Sequence, residues 1–173
     1  MTYAPLREIV NVVAFATRPR FVLADDALTR TRRPAPSAGA LHPIDIVLAD
    51  WRGVPRLMRY DSLSHQLELL ICTKSHLGEL GRVADEILPQ AHGTAIVLLG
   101  DVARVAAIYE NCDTLFWRDA GALLQTLFLA ATACRLAFCP LGILGHEVVR
   151  ALGLVQRLTP AGVALIGRPL IAD

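Results

Sequence analysis

Charge is what this chain is short of. Only 19% of its 173 residues are Asp, Glu, Lys or Arg, 54% are hydrophobic, and the net charge is +1. So even a balance excludes a partner recruited by bulk electrostatics. Aromatic residues are equally scarce, at 6%. Arginines gather at Arg18, Arg20, Arg30, Arg32 and Arg33. Too few aromatics accompany them to stack nucleic-acid bases, so no nucleic-acid partner is expected. Two readings of the basic segment stay open: a solvated loop, or a phosphate site that uses the bidentate guanidinium fork.

Metal and disulfide chemistry lack their patterns too. Cys72, Cys112, Cys134 and Cys139 contain no CxxC pair, so neither a zinc knuckle nor a thioredoxin-like motif is indicated. All four are expected as reduced, mostly buried thiols. His65, His76, His92 and His146 are scattered and fit no metal spacing. The apolar runs Ile96–Leu99 and Ala161–Ile166 fall far short of the ~20 residues a membrane span needs. Leu123–Cys134 is interrupted by Gln125, Thr126 and Thr132. Met1–Arg7 has no basic stretch leading into an apolar core and cleavage site, so the expected location is cytoplasmic.

What is present suits a single domain over residues 1–173. A mean hydropathy of +0.45 is high for such a domain. Either long helices are buried within it, or an apolar face is hidden in an oligomer. Apolar residues at 6, 9, 10, 13 and 14 predict a helix over Leu6–Thr17, stopped by Pro19. From Arg18 to Pro36 a loop is expected, with a helical turn at Asp25–Thr29. Strands are predicted at Ile44–Ala49, Val54–Tyr60 and Gln66–Cys72, forming an antiparallel meander. A helix then runs from Thr73 or Ser75 to Leu88, followed by a strand at Thr94–Leu99 and a short helix through Tyr109. The longest helix is predicted from Thr114 to Phe138, apolar nearly all round from Leu123 to Cys134 and so buried on most sides. A helix at Gly145–Leu152 and a strand at Ala161–Ile166 complete an α+β order.

The segment Arg33-Pro-Ala-Pro-Ser-Ala-Gly-Ala-Leu-His-Pro43 resembles the PSAGALxP motif of SagB-type dehydrogenases, a branch of the nitroreductase-like flavoproteins. Met58-Arg-Tyr-Asp61 and His65-Gln-Leu-Glu-Leu-Leu70 resemble the hairpin that follows in that family. Trp117-Arg-Asp-Ala-Gly121 with Gln125 resembles its long helix, and Cys139-Pro-Leu-Gly142 its Cys-x-Ile/Leu-Gly turn. Leu152-Gly-Leu154 and Gly167-Arg-Pro169 follow in the family's order, so the likeness covers roughly residues 33 to 170. It implies a nitroreductase-like fold: a mixed, largely antiparallel sheet flanked by helices, with a long buried central helix.

By the same resemblance the cofactor is FMN, the assembly a homodimer with flavin between subunits, and the activity a dehydrogenase or oxidase. Its substrate would be a peptide or another small natural product. Pro36, Ser37, Ala38 and Gly39 would meet the flavin ring, as would Gln125, Pro140, Leu141 and Gly142. Small residues admit backbone to the ring edge, and the Ser37 hydroxyl can donate or accept there. A plain loop-to-helix junction explains the same residues without a ligand. His42, where relatives often have Tyr, is a candidate proton donor. Tyr109 matches the Tyr of the family's catalytic Lys-Tyr pair, but Ile108 stands in the Lys position. A phenol without that help is a poor base near neutral pH. The family's Arg-Ser-x-Arg phosphate grip does not occur in these 173 residues, so Arg32, Arg33 and Arg168 are the candidate substitutes, with Arg18 and Arg20 behind them. These departures keep two alternatives open. One is a flavin-free interaction subunit of the same fold, and the other an enzyme using His42 or Tyr109 without flavin.

Overall fold

The computed structural model describes residues 1–24 and 26–170. Helix α1 (Leu6–Thr17) starts after Pro5, buries Ile9, Val12, Val13 and Ala16 on one face, and stops before Pro19. The loop after it holds a small hairpin that the sequence reading missed, β1 (Phe21–Val22) against β2 (Thr31–Arg32). Its turn is held by Asp26, whose carboxylate accepts from Arg30 N and Arg30 Nε. Asp25, at the start of the expected helical turn, lies outside the described residues; residues 26–29 form turns.

The main sheet is built from β3 (Ile44–Asp50), β4 (Arg56–Asp61), β5 (Gln66–Leu70), β6 (Thr94–Gly100), β7 (Ala137–Leu141) and β8 (Thr159–Gly167). They lie in the order β5-β4-β3-β6-β8-β7 with every pair antiparallel. Because side chains alternate along a strand, each strand serves two cores. Ile44, Ile46, Leu48, Ile96, Leu98 and Ile166 pack on α1 and on α4 (Cys112–Ala133). Val47, Ala49, Val97, Leu99 and Leu165 pack on α2 (Lys74–Ile87) and α5 (His146–Leu152). Burial on both faces is why β6 and β8 read as unbroken apolar runs, whereas the edge strand β5 carries Gln66 and Glu68. The short α3 (Val102–Ala106) is capped by Asp101, which accepts from Arg104 N.

Helix α4 corrects the expectation in two ways. It ends at Ala133, not Phe138, because Arg135 turns left-handed (φ 58) and the amides of Arg135 and Leu136 close back on Thr132 and Ala131. Cys139, Pro140 and Leu141 therefore lie in strand β7 rather than in a turn, and only Gly142 follows it. Pro140 is tolerated there because β7 is an edge. Nor is α4 buried all round: Trp117, Phe128 and Leu129 are 45%, 40% and 58% exposed. The cysteines differ too, with Cys134 exposed and the other three half-buried. No helix among the described residues is long and apolar enough to cross a membrane.

Candidate functional site

The segment from Arg33 to Pro43 crosses from β2 to β3 and lies against α4. It contains a single 3-10 turn, Ala38–Ala40. Three of its residues are left-handed: Gly39 (φ 57), Ala40 (φ 57) and His42 (φ 45). For Ala40 and His42 such a backbone costs about 1–2 kcal/mol each. Strain of this kind persists only where surrounding contacts over-determine it, and it gathers at working sites.

Those contacts come from Asp119, two turns into α4, on the face that also buries Phe116, Ala120 and Leu123. Its carboxylate accepts the Ser37 hydroxyl at 2.6 Å and the Ala38 amide at 3.1 and 3.2 Å. Ser37 Oγ in turn accepts the His42 amide at 2.9 Å. The His42 ring points elsewhere, with Nε2 2.8 Å from the Thr31 carbonyl. A carbonyl only accepts, so Nε2 carries the hydrogen and Nδ1 the lone pair. Arg33 Nε donates to Thr31 Oγ1 at 2.8 Å, completing a chain of polar contacts from α4 to β2.

Two consequences follow for the chemistry. First, Ser37, His42 and Asp119 are not a nucleophile triad, because the Ser37 hydroxyl donates its hydrogen bond to Asp119 and meets only the backbone of His42. Second, His42 is a neutral imidazole: burial, then the Arg33 guanidinium, push its pKa down to about 4. That direction disfavours the charged imidazolium near neutral pH. Arg33 itself is pushed below its usual value by burial and by Arg104, but a guanidinium stays charged.

Tyr109 joins this loop from the end of α3, where its amide closes on Val105 O. A Cβ on Gly39 would sit 2.6 Å from the Tyr109 hydroxyl. The phenol therefore covers the one residue of the loop that has no side chain, and the structure brings together two residues 70 apart that the sequence had marked separately. Ile108 beside it is 48% exposed.

Space for a ligand is unevenly divided. Between the loop and α4, lined by Arg33, Ser37, His42 and Asp119, only about 20 Å³ is open, room for one water. A second cavity of about 270 Å³ opens on the outer side of α4, lined by Gly121, Leu124, Gln125, Phe128 and Pro140. It unites Gln125 and Pro140, and a side chain added at Gly121 or Gly142 would meet nothing within 4 Å. Leu141 is buried in the opposite core and lines neither. Pro36 borders the small cavity, and Ala38 is half-buried beside it. Arg32 is exposed in the β1–β2 hairpin. Arg168 is held elsewhere, bridged to Thr2 and paired with Glu8 at 2.7 Å. The candidates thus separate into the loop with Tyr109, the α4–β7 cavity, and two arginines outside both.

Asp119 is the residue that sequence reasoning left without a role. A carboxylate on an otherwise apolar helix face had to find buried partners, and that was a usable signal. Thr31, the acceptor for both His42 and Arg33, gave none.

No protein-family model matches this chain, and no curated protein matches it in sequence. Solved structures do match it. A protein of Anabaena variabilis assigned as a nitroreductase superposes with a TM-score of 0.76 at 19% identity, over 92% of this chain and 34% of its own. One of Ralstonia eutropha with the same assignment gives 0.71 at 21% identity, over 99% and 77%. A chain of the E. coli microcin synthetase McbBCD complex, solved with truncated pro-MccB17 bound, gives 0.70 at 23% identity, over 99% and 65%. The chain thus spans about a third of the first structure's length and just under two thirds of the third's. What this likeness establishes is architecture: the protein has the nitroreductase-like fold.

Proposed function

We propose that the protein is an FMN-dependent oxidoreductase that acts as a homodimer on a peptide or another small natural product. The observation that carries this reading is the strained Pro36–Pro43 loop, locked to α4 by Asp119 and faced by Tyr109. A loop with two non-glycine residues left-handed, held by a buried carboxylate, is preorganised rather than merely connecting. The motif it carries is the one whose resemblance points to flavin. The likeness to a chain of a peptide-bound synthetase complex supports the substrate class. The exposed Trp117, Phe128 and Leu129 on α4 supply the apolar face a second subunit would cover.

The residues present fit a flavin on the outer side of α4. The 270 Å³ cavity offers a glycine wall at Gly121 and an amide at Gln125, whereas the 20 Å³ space inside the loop excludes a ring. Gln125 would pair with the polar ring edge, and Pro140 would flank the ring. A bound flavin would accept a hydride from a substrate carbon and return the electrons to oxygen. Asp119 and Ser37 hold the loop, and the Tyr109 hydroxyl lies against Gly39. The purified protein should show flavin absorbance, or acquire it on titration with FMN in proportion to protein. A colourless protein that quenches no FMN fluorescence overturns the reading.

A second reading is favoured by a specific observation. The Ser37 hydroxyl and Ala38 amide, which a flavin would be expected to meet, are both committed to Asp119, and Arg168 is committed to Glu8. A flavin-free subunit of an enzyme complex accounts for that arrangement. It predicts a stable dimer or hetero-complex by light scattering, with no cofactor.

A further inference from the structure

The largest opening beside the loop belongs to neither flavin reading. On the other side of His42 and Pro43, a crevice of about 420 Å³ lies between the sheet and the chain that follows α5. Its volume falls within the range of small-molecule sites. The floor is aliphatic: Val47 and Leu99 from the sheet, Leu152, Leu154 and Leu158 from the end of α5 and the turn after it.

The rim is charged, and the charges are grouped. Asp45, Arg59 and Glu68 stand on three adjacent strands, with Arg59 2.8 Å from Glu68 and 3.6 Å from Asp45. Two carboxylates around one guanidinium leave this group net negative. Asp101, which lines the crevice beside it, adds to that sign. Opposite in sign are Arg104, whose guanidinium donates to the Leu28 carbonyl, and Arg157. Neither has a carboxylate within ion-pair distance among the described residues. The rim therefore offers both signs and sums to no net charge. A polyanion such as a dinucleotide would meet three carboxylates there. A plain hydrocarbon would leave the rim without partners.

We propose that this crevice binds a small zwitterion with an aliphatic side chain, of the amino-acid or free-ended dipeptide class. Its carboxylate is taken by Arg157 and Arg104, its ammonium by the acidic group, and its side chain by the leucine floor. Because the crevice shares His42 and Pro43 with the loop, a ligand there would touch the loop on which the flavin reading rests. The inference nonetheless stands without that reading, since its test needs no flavin.

The probe is L-leucyl-L-leucine, titrated into the full chain and followed by methyl NMR of Val47, Leu99 and Leu152 with calorimetry alongside. Saturable shifts at these methyls are expected. Capping the dipeptide as its N-acetyl amide removes both charges and should weaken binding about tenfold or more, since both charge-assisted contacts are lost. Arg157→Glu should do the same; the residue is exposed and unpaired, so circular dichroism should be unchanged. No saturable shift with the free dipeptide overturns the proposal. So does equal binding of the capped form, of NADH, or by the folded R157E protein.

Discussion

Two segments of this molecule carry the motifs that resemble those of a flavoprotein family, and they are built on different principles. Residues 36–42 form a loop with three left-handed residues whose shape depends on side-chain hydrogen bonds to Asp119, Ser37 and Thr31. Residues 139–141 form an edge strand held by the backbone ladder to β8, with Pro140 opposite Ala164. The first conformation is unfavourable locally and is specified by a few polar atoms. The second is favourable locally and is specified by almost any apolar sequence. A motif of the first kind should tolerate substitution poorly, and one of the second kind well.

The strongest attack on this contrast is Asp119→Ala. It strands the Ser37 hydroxyl and the Ala38 amide, each costing about 1–3 kcal/mol when buried without a partner. A loss of about 3 kcal/mol is expected, or roughly 6–12 °C in Tm for a domain of this size. A change under 1 kcal/mol in urea unfolding shows that the loop does not depend on Asp119. Gly39→Ala comes next. Its Cβ would stand 2.6 Å from the Tyr109 hydroxyl at a φ of 57, so about 2 kcal/mol should be lost. Tyr109→Phe should restore part of that loss in the double mutant, and a cycle with no coupling removes Tyr109 from the loop.

Acid should act on the loop through His42. Its folded pKa of about 4 lies below the ordinary histidine value of 6.5. Between those values the unfolded chain binds the proton and the folded one does not, so stability falls as pH drops from about 6.5 toward 4. After solvent screening of the half-exposed ring, about 1 kcal/mol should be lost between pH 7 and 5. His42→Gln should flatten that slope, and an unchanged slope assigns it to other groups. Asp26, held to about 2 chiefly by its hydrogen bonds with Arg30, contributes only at lower pH, where its stabilisation fades below about 4. The smallest effect belongs to the other segment: Pro140→Ala, on an edge strand, should shift stability by about 0.5 kcal/mol. A loss near that of D119A would erase the contrast.

The sheet strands were legible because β-branched and aliphatic runs bounded by Gly, Pro and Asp leave few alternatives, and β3, β6 and β8 fall where those runs predict. The end of α4 was not. Leu136, Ala137 and Phe138 continue an apolar pattern equally well as helix or strand, and the residue that breaks the helix is Arg135, not a glycine. The β1–β2 hairpin was hidden for the opposite reason, since two-residue strands leave no periodicity to read. At the candidate site, Ser37, Gly39, His42 and Tyr109 were picked from the motifs, and the structure gathers them. Their partnership was invisible, because it depends on a carboxylate 82 residues from Ser37 and on backbone angles that alanine and histidine do not advertise.

That separation also sets when the loop can form. A contact spanning 82 residues closes a long stretch of chain and needs α4 in place beside the loop. Before then nothing offsets the left-handed backbone at Ala40 and His42, so the loop is among the last segments to become native. The reverse holds in the folded protein: the same segment should open first, ahead of the sheet beneath it. Hydrogen exchange at the Ala38 amide should therefore be faster than at Val97 in β6, by the margin between local and global unfolding.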